Sequence, residues 1–153
     1  MVSDEPMGWP GVIHREGRTV MRVAEKPMEG RRGPAAKGAG AFLNPAMAGS
    51  RTRSVLLLQY AIESGILGDG AIYALDGLAA TGVRARRWII ELPQESADRL
   101  DIVMGDLDEE SLSWAMNNHL DFPPSHGRGK LRAVKGDLRA MVLNHGRHWV
   151  DID

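Results

Sequence analysis

The chain has 153 residues and a mass of 16.7 kDa, which is enough for one domain of ordinary size. Hydrophobic residues make up 43% and charged residues 25%, as in a globular protein, so a fully disordered chain is excluded. The lack of cysteine excludes disulfides, thiolate zinc sites, iron–sulfur clusters and a cysteine nucleophile. With no long apolar run and no signal-like start, we expect a soluble, cytoplasmic protein with no membrane partner.

Basic and acidic residues are unevenly distributed along the chain. Residues 1–60 hold nine Lys/Arg and five Asp/Glu, whereas residues 61–153 hold ten and fifteen. A basic amino-terminal part favours an anionic partner such as RNA, although a charged loop of this kind is also often simply solvated. Residues 27–40 are rich in glycine, proline and cations and predict a basic loop. Its candidate contacts to an RNA backbone are Arg31, Arg32 and Lys37.

Two elements are predicted in the first half of the chain. Runs of β-branched residues on either side of Glu16-Gly17 predict a small hairpin. Hydroxyl residues followed by an apolar face through Val55, Leu58 and Ile62 predict a helix over 50–64. We therefore divide the chain into a hairpin and basic-loop segment at 1–49 and a second unit at 50–153.

The second unit alternates strand, turn and helix. Predicted strands lie at 71–75, 101–105, 130–136 and 148–153, and predicted helices at 83–92, 106–120 and 137–145. This alternation predicts βαβ units and an α/β, Rossmann-like fold with a parallel sheet. Because no helix follows the fourth strand, we expect either a truncated sheet or a partner chain that completes it.

An acidic residue follows each predicted strand. These acids are Asp76, Asp106, Asp137 and the pair Asp151 and Asp153. Since parallel strands end at one edge of a sheet, we expect the carboxylates to line that edge, where ligands bind in this fold class. The turn after the first strand, 76–82, is built of small residues that allow close approach of a ligand to the backbone.

This arrangement favours a nucleoside ligand. The turn lacks the G-x-G-x-x-G spacing of dinucleotide-binding proteins, so an NAD-dependent oxidoreductase is the weakest alternative. Carboxylates suit ribose hydroxyls, an adenine amino group and a cationic tail, which together describe S-adenosylmethionine. Each acid taken singly is also a plain helix cap. The histidines near Asp151 match no zinc spacing, so no metal site is predicted.

Six successive segments resemble the tRNA (guanine(26)-N(2))-dimethyltransferase family. In chain order they are EGRTVMRV, AFLNPAMAGSRTRSV, ALDGLAATGVRARRW, VMGDLDEESLSWAMNNH, KGDL and WVDID, from Glu16 to Asp153. The resemblance implies a class I methyltransferase that transfers methyl from S-adenosylmethionine to the exocyclic N2 of a tRNA guanine. It also implies that the chain corresponds to the amino-terminal part of such an enzyme.

The resemblance also implies roles for individual residues. Those matched to cofactor contacts are Arg51, Arg84, Asp106, Asp137 and Leu138, and the strand-end acid Asp76 and the turn residue Gly82 are added as cofactor-binding candidates from the pattern above. Asp153 matches the first residue of the family's Asp-Pro-Phe-Gly motif and is the candidate catalytic carboxylate. Family members usually have Asn-Arg-Asp where this chain has Ser50-Arg51-Thr52, which leaves open what braces Arg51.

Three functions remain open at this point. The first is the cofactor-binding portion of such an enzyme, which we expect to be incomplete for catalysis by itself. The second is a related methyltransferase acting on another RNA or DNA amine. The third is a non-catalytic remnant that binds RNA or a partner protein through the free edge of its sheet.

Overall fold

The structure is a computed structural model that describes residues 5–25, 43–125, 127 and 129–153. Its strands are β1 Val12–Glu16, β2 Thr19–Val23, β3 Ile72–Asp76, β4 Leu100–Asp106, β5 Lys130–Lys135 and β6 Trp149–Asp151. Its helices are α1 Ala48–Glu63, α2 Val83–Glu91, α3 Gln94–Ala97, α4 Glu109–Asp121 and α5 Leu138–His145, with a 3-10 turn at Pro45–Met47. Within these residues no helix is long and apolar enough to cross a membrane.

The predicted hairpin and the predicted parallel sheet are both present. Strands β1 and β2 pair antiparallel with Glu16 opposite Thr19, so the turn lies at residues 17–18. The other four strands form one parallel sheet in the order β5-β4-β3-β6. This order confirms the α/β, Rossmann-like fold class, and it reverses between β3 and β6.

The main core lies on one face of the sheet, under α1, α2 and α4. Trp88 of α2 is fully buried there, beside Leu58 of α1 and Ile102 of β4. A smaller cluster on the opposite face packs Met141 of α5 against Leu75 and Val103. The central strands β3 and β4 are buried on both faces and read as apolar runs, which is why the sequence located them within one residue.

Two elements differ from the expectation. The helix predicted from residue 106 begins at Glu109, because the side chain of Asp106 accepts a hydrogen bond from the backbone N–H of Asp108 at 2.9 Å and forms a turn before the helix. The short helix α3 was not predicted, since four residues after Pro93 carry no periodicity. The division at residue 49 stays a prediction.

Candidate functional site

A cleft of about 270 Å³ opens at the carboxyl edge of the sheet, beside the ends of the paired strands β3 and β6. It is lined by Leu43, Asn44, Met47, Arg51, Asp76, Leu78, Ala79, Ala80, Thr81, Val83, Arg84 and Asp153. Strand order reverses between β3 and β6, and ligands of open α/β sheets bind at such a switch point. Four residues that were nominated from separate segments of the sequence therefore line one cavity: Arg51, Asp76, Arg84 and Asp153.

The turn from β3 to α2 forms one wall of the cleft. Ala80 has φ +44° and Gly82 has φ +71°, both in the left-handed region. A Cβ on Gly82 would lie 2.7 Å from the Met104 sulfur, so only glycine fits there. Thr81 is among the lining residues, and its hydroxyl is buried without a hydrogen-bond partner among the described residues. This wall offers a bound molecule one buried hydroxyl and a closely approachable backbone.

Asp76 lies at the base of the cleft. It is 2% exposed, and its Oδ2 accepts a hydrogen bond from the backbone N–H of Ala85 at 3.2 Å. Burial raises the pKa of Asp76 to about 7, although the Arg84 charge and the Ala85 N–H act in the opposite direction, while the charges of Asp151 and Asp106 add to the increase. The carboxyl group therefore changes protonation close to neutral pH, as is common for functional groups.

Asp106 ends the neighbouring strand and connects three parts of the edge. Its Oδ2 accepts from the backbone N–H of Ala80 at 3.0 Å, and its Oδ1 accepts from that of Asp108 at 2.9 Å. It thereby joins the small-residue turn to β4 and to the start of α4. A carboxylate has about four acceptor positions, so each oxygen retains capacity for a further donor.

Arg84, at the start of α2, joins two carboxylates across the cleft. Its Nη1 donates to Asp151 Oδ2 at 3.1 Å and its Nη2 donates to Asp153 Oδ2 at 2.7 Å. Two serines of α1 complete the group: Ser54 donates to Asp151 Oδ2 at 2.6 Å and Ser50 donates to Asp153 Oδ2 at 2.9 Å. Within the described part of the chain, both donors to Asp153 therefore reach the same oxygen.

Arg51 forms the opposite wall of the cleft. Its Nε and Nη2 donate to the two oxygens of Glu16, each at 2.7 Å, and its Nη2 also donates to the carbonyl of Asn44 at 2.9 Å. Arg87 Nη1 donates to Glu16 as well, at 3.1 Å. Burial alone would raise the pKa of Glu16, but the fork from Arg51 and the Arg87 charge outweigh it and lower the pKa. This buried ion group connects the hairpin to α1 and α2.

The third predicted acid lies at the same edge and, like Asp106 and Gly82, is not among the residues that line the cleft. Asp137 is exposed at the N-cap of α5, where it accepts from the backbone N–H of Arg139 at 3.0 Å. Its neighbour Leu138 reaches the turn: a Cβ on Gly77 would lie 2.6 Å from Leu138 Cδ1. Asp76, Asp106 and Asp137 thus follow the adjacent strands β3, β4 and β5, and their contacts to a cofactor stay predictions.

The candidate RNA contacts Arg31, Arg32 and Lys37, together with the basic loop that contains them, lie outside the described residues. No cluster of His, Cys, Asp and Glu with the form of a metal site occurs in the described ranges. Glu16, Asn44, Ser50 and Ser54 lie within segments that carry the resemblance but were not selected from the sequence as site residues. Glu16 and the two serines act through partners 35 to 103 positions away, and Asn44 takes part through its backbone carbonyl.

The fold and the position of the cleft define the class of protein: a Rossmann-like α/β domain with a switch-point cavity lined by two of its strand-end acids, Asp76 and Asp153. In sequence, the chain is 32% identical over 129 residues to the tRNA (guanine(26)-N(2))-dimethyltransferase of Pyrococcus abyssi, a match that covers 73% of this chain and 30% of that enzyme. In structure, it matches Trm1 from Pyrococcus horikoshii, solved in complex with S-adenosyl-L-methionine, with a TM-score of 0.61 and 22% identity.

These similarities confirm the resemblance found in the motifs. The structural match covers 93% of this chain and 35% of Trm1, so the chain spans about a third of the length of each relative. No protein-family model matches the chain. The comparisons therefore establish the Rossmann-like fold and a sequence similarity to part of the tRNA dimethyltransferases.

Proposed function

We propose that the chain is the cofactor-binding portion of a tRNA (guanine(26)-N(2))-dimethyltransferase and that it binds S-adenosylmethionine in the switch-point cleft. One observation carries the proposal: Arg51, Asp76, Arg84 and Asp153, nominated from separate segments, line a single cavity beside the small-residue turn. The similar Trm1 structure contains S-adenosylmethionine, which supports this choice of ligand.

The groups around the cleft fit this molecule chemically. Asp106 has acceptor capacity for ribose hydroxyls, and the Asp76 carboxyl in its ionised form offers a negative charge to an ammonium or sulfonium group. The Thr81 hydroxyl gains a partner if a ligand enters. Leu138, packed against Gly77, offers an apolar surface at the edge where an adenine ring is expected.

The proposed chemistry is methyl transfer to an exocyclic amine. Bound S-adenosylmethionine supplies an electrophilic methyl group on a sulfonium. The amine of guanine is a weak nucleophile, so the protein has to orient it, and a carboxylate that accepts one of its N–H groups does this. Ser50 and Arg84 hold Asp153 through Oδ2, which makes Oδ1 the oxygen available to the amine. The guanine must leave its stack to reach the cleft, at a cost of a few kcal/mol.

The proposal that tRNA is the substrate is supported by the similar enzymes and by the basic amino-terminal part of the chain. Arg15 and Arg18 are exposed on the hairpin, adjacent in sequence to Glu16 and Gly17. Together with Arg31, Arg32 and Lys37 they would bind phosphates, and this contribution should weaken as salt is added.

Calorimetry with S-adenosylmethionine tests the proposal directly. We expect the wild-type chain to bind and Asp106→Ala to lose detectable binding. The matched control is Asp101→Ala, which removes an acid from the other end of the same strand, β4, and should bind as the wild type does. Circular dichroism checks that each variant is folded.

Two outcomes would contradict the proposal. Binding heat that is unchanged in Asp106→Ala would remove the nucleoside site from this edge. Absence of binding by the folded wild type, with retained binding of tRNA, would favour the non-catalytic RNA-binding alternative. A separate assay, transfer of labelled methyl to undermethylated tRNA, measures whether the 153-residue chain turns over by itself.

A further inference from the structure

The wall of the cleft formed by residues 43–51 depends on a side chain from the hairpin. Arg51 is 6% exposed, and Glu16 is its carboxylate partner within the described residues. Both oxygens of Glu16 receive the guanidinium, in the bidentate geometry that fixes position as well as charge. The hydroxyl of the adjacent Thr52 instead donates to the carbonyl of Ala48.

Arg51 transmits this position to the cleft. Its Nη2 holds the Asn44 carbonyl at 2.9 Å, and the Asn44 side chain in turn accepts from the backbone N–H of Ala46 at 3.0 Å. Asn44 and Met47 both line the cleft. The chain of contacts therefore runs from the hairpin through Arg51 to the wall that faces the small-residue turn.

The second partner of Glu16 provides an internal comparison. Arg87 Nη1 donates to Glu16, but Arg87 also forms a fork on Glu91, with Nε and Nη2 each at 2.9 Å. Loss of Glu16 would therefore leave Arg87 neutralised by Glu91. Arg51 would instead lose its carboxylate partner at a buried position. Because an unpaired charge is costly to keep buried, the Arg51 side chain would then move towards solvent or towards another acid.

We propose that Glu16 is the positioning residue for Arg51, and that through this pair the amino-terminal hairpin controls how tightly the cleft binds S-adenosylmethionine. This inference rests on the proposed function of the cleft. The proposal assigns to Glu16 the task of holding the Arg51 guanidinium, which the adjacent Thr52 does not contact because its hydroxyl donates to the carbonyl of Ala48. By thermodynamic reciprocity, ligand binding must in turn stabilise the hairpin.

The test compares Glu16→Gln with Glu91→Gln by calorimetry. Glu91 is the matched control because it also bonds the hairpin, through the backbone N–H of Arg18 at 3.0 Å and the Thr19 hydroxyl at 3.2 Å, and also pairs with Arg87. We expect Glu16→Gln to raise the dissociation constant for S-adenosylmethionine by roughly 5- to 150-fold, the usual range for coupled sites. Glu91→Gln should change it less than threefold.

A double-mutant cycle separates positioning from general weakening. If Glu16 acts through Arg51, then Arg51→Lys, which loses the fork, and Glu16→Gln should be strongly non-additive in binding. Additive effects, or equal losses in Glu16→Gln and Glu91→Gln, would overturn the inference and leave the proposed function standing. Absence of binding by the wild type would overturn both.

Hydrogen exchange on the wild type covers the case in which Glu16→Gln does not fold. S-Adenosylmethionine should slow exchange at backbone amides of β1 and β2 by at least threefold. The turn at residues 65–68, which contributes no residue to the lining of the cleft, should not change. Binding with no added protection in the hairpin would overturn the coupling.

Discussion

Replacing Asp76 by asparagine should change how stability depends on pH. Burial raises the pKa of this carboxyl from its ordinary value of 3.8 to about 7 in the folded chain. Between these two values the folded protein holds a proton that the unfolded chain has released, so the free energy of unfolding falls as pH rises. Below about pH 4 both states are protonated, and above about pH 7 the loss is complete.

The size of the effect follows from the interval between the two pKa values. Each pH unit corresponds to 1.36 kcal/mol, so the interval gives about 4 kcal/mol as an upper bound. The asparagine side chain of the variant is neutral at every pH and keeps an oxygen for the Ala85 N–H. The stability of Asp76→Asn minus that of the wild type should therefore increase by up to about 4 kcal/mol between pH 4 and pH 8.

Urea denaturation followed by tryptophan fluorescence measures this difference at pH 4, 5, 6, 7 and 8. If the two stability curves stay parallel over this range, the carboxyl does not carry the raised pKa and the reasoning is wrong. At pH 8 the same variant should bind S-adenosylmethionine more weakly although it is more stable, because a charge that serves a ligand is retained at the expense of stability.

Two further predictions concern packing around the cleft. Gly82→Ala should destabilise more than Gly68→Ala, because both have positive φ but a Cβ on Gly82 meets Met104 and Ala115 whereas one on Gly68 meets nothing within 4 Å. The left-handed backbone costs about 1–2 kcal/mol in each variant and overpacking adds about 1–3 kcal/mol to the first, so equal losses in urea denaturation would contradict the contact. Ser54→Ala should cost about 1–3 kcal/mol, since it removes the acceptor of the buried Trp88 indole N–H at 3.0 Å. Thr52→Ala on the exposed side of α1 is its control and should leave the denaturation midpoint almost unchanged.

Helix α2 shows packing that its sequence pattern does not reveal. Its sequence VRARRWIIE contains three arginines, and the usual expectation is an exposed polar face. In the structure Arg84, Arg86 and Arg87 are all buried, because the hairpin, the end of α4 and the end of the chain after β6 pack over the helix. Arg86 donates to the carbonyls of Val20 and Phe122, and burial lowers its pKa to about 10.

The acids at the strand ends were more accessible to sequence reasoning. Asp76 and Asp106 each end an apolar run, and a parallel sheet aligns its carboxyl ends along one edge, so their common location followed from local pattern and topology. Asp137 could be placed at that edge for the same reason. That it lies outside the cleft depends on β5 being the strand furthest from the switch point.

By itself the sequence determined the strands, most helices, the parallel topology and the edge at which a ligand would bind, because these depend on the spacing of apolar residues and on residues at strand ends. The tertiary structure decided which partners the charges take. Glu16 meets Arg51 35 positions away, and Arg84 meets Asp153 69 positions away. Such pairs form only when packing brings distant segments together and removes water from the charges, and no local pattern encodes that proximity.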